Sequence, residues 1–398
     1  MMEDDEMKIG TRQFCINPEF PVNRMLKPVK HQDVSDPLHC RIVIFVPEND
    51  VPIVHVSIDT VELWKYRENQ ITEVIERVLG QKVHCICSAT HSHNCPCMTT
   101  DDDYVDFVLT RLKHEVPLIE LKDYKKVEYN YQYNYFDKVG KSRVMDHTTP
   151  HVYAETCSIY GDGKRIVTFL IHNVHPTIKE LWKGDFTAEY PGYCISALRK
   201  EYPDEFFTFL LGPSGDISPH FVRRGRDYEE MLRLSELLKQ EFARQLKLQK
   251  KEKNQSLHME YEETVIPNLL EPFDLNQIDL PEVLNEDEKK FLERLGKPSP
   301  FHREIRDFEK CAEHTLAHLI FSKEYSMIFE PFELYSEYYG AVDKRRCSVI
   351  SISKGFDHYL TGLHLNRLTM HGTASGFSHK TKKRMWEILS RWSCQEKV

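Results

Sequence analysis

The residues best suited to chemistry are two histidines in the stretch Ala89-Thr90-His91-Ser92-His93, which closes the run Val83-His84-Cys85-Ile86-Cys87-Ser88. In extended chain, residues i and i+2 face the same side. His91 and His93 are therefore expected to project together from the end of a buried strand. Neutral imidazole is a common zinc ligand and titrates near neutral pH, so the pair points to a metal site or a general base. Taken alone, the pair more often marks two hydrogen-bonded loop histidines. The rest of the chain repeats the pattern. Ile166 to Ile171 leads into His172-Asn173-Val174-His175-Pro176-Thr177, and Phe206 to Leu211 leads into Gly212-Pro213-Ser214-Gly215-Asp216-Ile217-Ser218-Pro219-His220. Phe329-Glu330-Pro331-Phe332-Glu333 and Gly355-Phe356-Asp357-His358-Tyr359-Leu360-Thr361 follow near the C-terminus. Each polar cluster closes an apolar run that reads as a buried strand. Ligand sites in open α/β sheets form at the carboxyl ends of strands, so these ends are expected to assemble into one site.

The elements that must position these residues alternate between strands and helices. Residues 41–46 and 53–59 read as strands. Residues 68–79 read as a helix with Ile71, Val74, Ile75 and Val78 on one face, followed by helices over 102–112 and 192–200. The longest helix spans 228–248, with Met231, Leu234, Leu238, Phe242 and Leu246 in one stripe. Residues 285–295, 303–320 and 381–392 are expected to be helical. Residues 249–320 are polar and proline-containing. They read as a partly helical excursion from the core, placed to act as a lid. The fold class is α/β, with mixed sheets flanked by helices, in a single domain over residues 1–398.

The motifs, taken in order, resemble the catalytic domain of the neutral (non-lysosomal) ceramidases. Thr90-His91-Ser92-His93-Asn94-Cys95-Pro96 resembles that family's T-H-T-H-S-G-P element, and His175-Pro176-Thr177 its H-P-T element. Glu189-Tyr190-Pro191-Gly192-Tyr193 resembles D-[FW]-P-G-Y, and Gly215-Asp216-Ile217-Ser218-Pro219 matches G-D-[VI]-[SN]-P. Pro331-Phe332-Glu333 resembles a P-G-E element, and His358-Tyr359-Leu360-Thr361 the closing [GH]-Y element. The resemblance implies a catalytic Zn2+ held by His91, His175, Glu333 and Tyr359. It also implies catalytic roles for His93, Ser218, Arg143 and Asp216: His93 as base or oxyanion partner, Ser218 on substrate or water, and Arg143 on the carbonyl oxygen. The implied activity is zinc-dependent hydrolysis of an amide bond, ceramide-like or in another small molecule, with a small-molecule or lipid-like amide as partner. Each residue also has a plainer reading. Asp216 and Ser218 suit a turn, Glu333 a solvated acid, Tyr359 a half-buried aromatic, and Arg143 an ordinary surface position.

Departures from the family pattern bear on the substrate. The glycine-rich loop becomes Asn94-Cys95-Pro96-Cys97-Met98, which predicts a differently shaped pocket mouth. Glu189 stands for the aspartate and His220 for an asparagine. The length resembles a short bacterial-type relative lacking the C-terminal β-sandwich domain. Ester or peptide hydrolysis in a biosynthetic pathway, or a non-catalytic protein keeping the fold, are the competing functions. The net charge of -9 argues against nucleic acid as a partner. The acidic start, the absence of a transmembrane-length apolar run and 11 cysteines lead to the expectation of a cytoplasmic protein with reduced thiols. Cys85, Cys87, Cys95 and Cys97 admit a thiolate metal site as a rival to buried thiols.

Overall fold

The computed structural model describes residues 6–24, 27–48, 50–144, 151–180, 184–267, 313–356, 358–363 and 377–396. The expected helix over 285–295, and most of the excursion after 267, lie outside the described residues.

The first layer comprises β1 (Met7–Cys15), a hairpin of β2 (Val22–Arg24) and β3 (Lys27–His31), β4 (His39–Pro47), β5 (Ile53–Ile58), α1 (Lys65–Leu79), β6 (His84–Ala89), α2 (Asp102–Glu115) and β7 (Lys122–Tyr124). Its sheet runs β6-β5-β4-β1-β7, with β5 and β6 parallel and the other pairs antiparallel. In α1, Ile71, Val74 and Ile75 are buried at helical spacing, and Gly80 ends the helix at φ 69°, a left-handed conformation that favours glycine.

The second layer comprises β8 (Val127–Tyr135), β9 (Lys141–Ser142), β10 (Tyr153–Gly161), β11 (Lys164–His172), α3 (Glu189–Glu201), β12 (Phe206–Leu211), β13 (Ile217–Ser218), α4 (Tyr228–Gln249) and β14 (Gln255–Ser256). Its sheet order is β12-β11-β10-β8-β14, with β11 and β12 parallel. Asp227 caps α4 by accepting from the Glu230 N–H at 2.8 Å. The expected α4 stripe is buried against the sheet.

The third layer comprises β15 (Glu260–Pro267), β16 (Glu313–Ser322), β17 (Tyr325–Phe329), β18 (Glu333–Leu334), β19 (Cys347–Ile350), β20 (Tyr359–Leu360) and α5 (His379–Ser393). Its sheet order is β15-β16-β17-β19, with β17 and β19 parallel. Here the sequence expectation fails. Residues 313–320, expected at the end of a helix, form β16, paired on both sides. His314, Leu316 and His318 alternate with Thr315, Ala317 and Leu319, a period of two that two-sided burial disguises as a continuous apolar run.

The three sheets face one another across a shared core. Ile9, Val43 and Phe45 from the first meet Ile159, Phe169 and Leu210 from the second and Leu319, Met327 and Phe329 from the third. The outer faces are covered by α1 and α2, by α3 and α4, and by α5 respectively. The result is an α/β fold of mixed sheets flanked by helices. Its parallel pairs matter most for the site. The carboxyl ends of β6, β11, β12 and β19 are stitched together by main-chain bonds: Ala89 N–H to Ile352 O at 3.2 Å, Gly212 N–H to His172 O at 3.0 Å, and Ser351 N–H to Leu211 O at 2.8 Å. Loops leaving three separate sheets are thereby brought to one place. Among the described residues, no helix is long and apolar enough to cross a membrane.

Candidate metal centre

His91, His93 and His175 bring ring nitrogens within 4.8 Å of one another. The route differs from the strand-face argument. β6 ends at Ala89, and His91 itself turns in the left-handed region at φ 62°. Strain of this kind in a residue with a side chain persists only where the surroundings enforce it. The His91 amide donates to Thr60 O at 2.9 Å, and the His91 Nδ1–H faces Val61 O at 2.6 Å. Further along, the buried Arg41–Asp59 pair at 2.9 Å anchors the start of the loop carrying Thr60 and Val61. His175 is held in the same way, its Nδ1 against Ser214 O at 3.1 Å and its amide on Ile217 O at 3.2 Å.

These carbonyls fix the tautomers. With Nδ1 donating, each Nε2 carries a lone pair, yet His91 Nε2 lies 3.0 Å from His175 Nε2 and 3.2 Å from His93 Nε2. In these neutral tautomers no proton is left for the contact between His91 and His175. Glu333 stands beside them, with Oε1 3.3 Å from His91 Nε2 and Oε2 3.4 Å from His175 Nε2. Its Oε2 is buried without a hydrogen-bond donor. The next ladder position supplies Tyr359, because β18 and β20 pair in parallel with Glu333 opposite Tyr359, and the phenol is hydrogen-bonded to Glu333. Converging lone pairs and a donor-less carboxylate in a buried site are what a cation relieves. The donor set of imidazole nitrogen, carboxylate and phenol fits zinc.

The charges agree. Burial opposes a proton on His91, but the Glu333 carboxylate outweighs it and raises the pKa above the usual imidazole value. Burial, with His91, His93 and Arg143 adding positive charge, pushes His175 well below that value. Burial and the neighbouring Glu333 hold the Tyr359 phenol far above its ordinary range.

The remaining expected residues line the same site. Arg143 is exposed and donates through Nη2 to Ser218 Oγ at 3.0 Å, while its main-chain N–H meets Asp216 O at 2.8 Å. Ser218 is buried at the end of β13. The Asp216 carboxylate accepts from Ser142 Oγ at 2.5 Å and from Ser336 N and Oγ at 2.6 and 2.8 Å. It braces three segments and makes no contact with the imidazole cluster. Gly215 is a close approach that only glycine permits. A Cβ there would lie 2.6 Å from Glu333 O.

Several contributors escape sequence reasoning. The Val61 and Ser214 carbonyls have no side-chain signature. Glu330, fully buried, accepts from the Phe332 N–H at 2.8 Å and from the Ser351 hydroxyl, and burial pushes its carboxyl up to about 8. It ties the Glu333 turn to the loop after β19. Both cysteines of the Asn94–Met98 loop are buried. Cys95 packs in the first-layer core with Sγ 3.4 Å from Thr187 O, and Cys97 Sγ lies 2.8 Å from Thr99 Oγ1. Cys85 and Cys87 place their sulfurs 3.7 Å apart, and burial raises the Cys95 thiol well above its usual range. No cysteine joins a metal-type cluster among the described residues. A second such cluster, His31, Asp33 and Asp185, is less suited to a cation, because the Lys179 ammonium, on the Asp185 main-chain O at 2.6 Å, and Arg24 already bring positive charge to Asp185.

The backbone has the fold of the neutral ceramidases. A neutral ceramidase from Pseudomonas aeruginosa superposes with a TM-score of 0.73 at 9% identity, over 99% of this chain and 76% of that one. A ceramidase complexed with C2 gives 0.72 at 10% identity, over 98% and 75%. The structural likeness agrees with the order of motifs read from the sequence. Neither protein-family models nor curated proteins match the chain by sequence.

Proposed function

We propose that this chain is a zinc-dependent hydrolase of amide bonds in N-acyl compounds. One observation carries the reading: in a ceramidase fold, Nδ1-anchored His91 and His175 turn their Nε2 lone pairs toward each other beside a Glu333 oxygen that has no donor. His91, His175, Glu333 and Tyr359 would hold the ion. When bound, zinc supplies an activated water and polarises the acyl carbonyl. His93, half-buried with its Nε2 facing the cluster, is placed to hold a proton at Nε2 and pass it to the leaving amine. Arg143, steadied by Ser218, is placed to meet the carbonyl oxygen as charge develops. Asp216 acts through its serine contacts, fixing the loop that presents Ser214 O and Ser218.

The test is a panel of N-acyl amines of increasing chain length, ceramide included, with the matching esters and short peptides, run with the zinc-loaded protein. Amide cleavage that a chelator abolishes and added zinc restores is the expected result. Turnover of esters or peptides alone would reassign the bond. A zinc-loaded protein that cleaves none of them would favour a binding role on a retained fold.

A further inference from the structure

We propose that Glu189 is a positioning residue of this metal centre: its buried carboxylate clamps the loop carrying His91 and His93 to the loop carrying His175. The inference rests on the zinc-hydrolase reading and adds to it a residue that touches no ligand atom.

The geometry is specific. Glu189 is fully buried at the first position of α3, with φ at 53°. Its Oε1 accepts from the Lys179 N–H at 2.9 Å and from Asn94 Nδ2 at 3.3 Å. Its Oε2 accepts from the Ile178 N–H at 3.0 Å. Asn94 lies three residues after His91, and Ile178 three residues after His175. The approach to Glu189 is itself bound to the histidine loop: Ser92 Oγ donates to Thr187 O at 2.8 Å and the Thr187 N–H to Asn94 O at 3.0 Å. The Glu189 amide closes the turn on Thr187 Oγ1 at 2.9 Å, holding the left-handed backbone in place.

Burial pushes the Glu189 carboxyl up to about 7, and the three N–H groups from two loops favour its ionised form, which offers acceptor sites on both oxygens and brings no donors. A glutamine is the same size but must aim its own N–H at one of those groups. The loop it leaves unsatisfied would loosen beside an imidazole. Partners one shell out from a metal typically set its affinity by about 10–100-fold.

Glu189→Gln and Asn94→Ala are compared with the parent by zinc titration against a competing chelator, by the visible spectrum of the cobalt(II)-substituted protein, and by the melting temperature of the metal-free form. Zinc affinity is expected to fall about tenfold or more in Glu189→Gln and less in Asn94→Ala, with an altered cobalt spectrum in both. Glu189→Asp, which keeps the carboxylate, is expected to recover part of the affinity. If the melting temperature falls while zinc affinity and the cobalt spectrum stay at parent values, the residue is only structural and the proposal fails. If Glu189→Gln does not fold, Asn94→Ala decides, and unchanged zinc affinity there overturns the clamp. A parent that binds no zinc would refute the metal-centre reading itself. A parent that binds zinc beside variants that bind it equally well refutes the clamp alone.

Discussion

Glu333→Ala is expected to strip the protein of zinc and abolish hydrolysis while leaving the metal-free fold intact. The Glu333 side chain faces His91, His175 and Tyr359, and one of its oxygens has no hydrogen-bond donor, so its removal breaks no other bond of the core. The affinity lost should exceed the roughly 10–100-fold that partners beyond the ligands themselves cost. Bound metal contributes to stability by mass action, about 2.7 kcal/mol at a hundredfold excess over Kd. The parent should therefore melt markedly higher with zinc than without, and the variant at the same temperature in both. Metal content per chain and paired melting curves check this. A variant that keeps about one zinc per chain removes Glu333 from the ligand set.

The second large effect is acid lability carried by buried neutral histidines away from the candidate metal centre. His318 is stacked on Trp392, with ring centroids 4.8 Å apart; neither ring nitrogen makes a hydrogen bond, and the half-buried Glu262 carboxylate lies 3.7 Å from Nδ1. Burial lowers its pKa to about 3, and likewise that of His55. A histidine whose folded pKa lies below its unfolded value costs nothing above the unfolded pKa near 6.5. Below that value the unfolded chain takes up the proton first, so stability falls as pH drops from about 6.5 toward 3. At pH 5 each such histidine costs about 2 kcal/mol. His318→Phe keeps the stack and deletes the titration. It is expected to match or exceed the parent at pH 7.5 and to recover about 2 kcal/mol of the acid loss at pH 5. Chemical denaturation of the metal-free forms at the two pH values measures this. Equal acid losses in parent and variant would show that His318 is charged in the folded state.

The helical stripes were legible because their period is set by one buried face. Ile71, Val74 and Ile75 of α1 and Met231 to Leu246 of α4 show it. The strands that lead to the site were legible as apolar runs closed by polar clusters, and the order of those clusters carried the resemblance. β16 was not, since burial on both faces erases the alternation that separates strand from helix. At the site, His91, His93, His175, Glu333 and Tyr359 were readable as side chains with the right chemistry. What holds them was not. The tautomers depend on the carbonyls of Val61 and Ser214, which any residue could supply. The positive φ values at His91 and Glu189 arise from contacts between loops of different sheets, and no local pattern encodes those. Asp216 was grouped with the catalytic residues by its motif, and its carboxylate is taken up by Ser142 and Ser336. Motif order located the site. Long-range packing decides which residues face the histidine cluster and which brace it.

The central claim is that one zinc ion sits among His91, His175, Glu333 and Tyr359. Anomalous diffraction at the zinc absorption edge, from crystals of the zinc-loaded protein, tests it most directly. The account predicts a single strong peak about 2.0–2.1 Å from Nε2 of His91 and of His175, and about 2.0–2.2 Å from a Glu333 oxygen. A peak at His31, Asp33 and Asp185 instead, or none near the histidine cluster in protein that carries zinc, would contradict it.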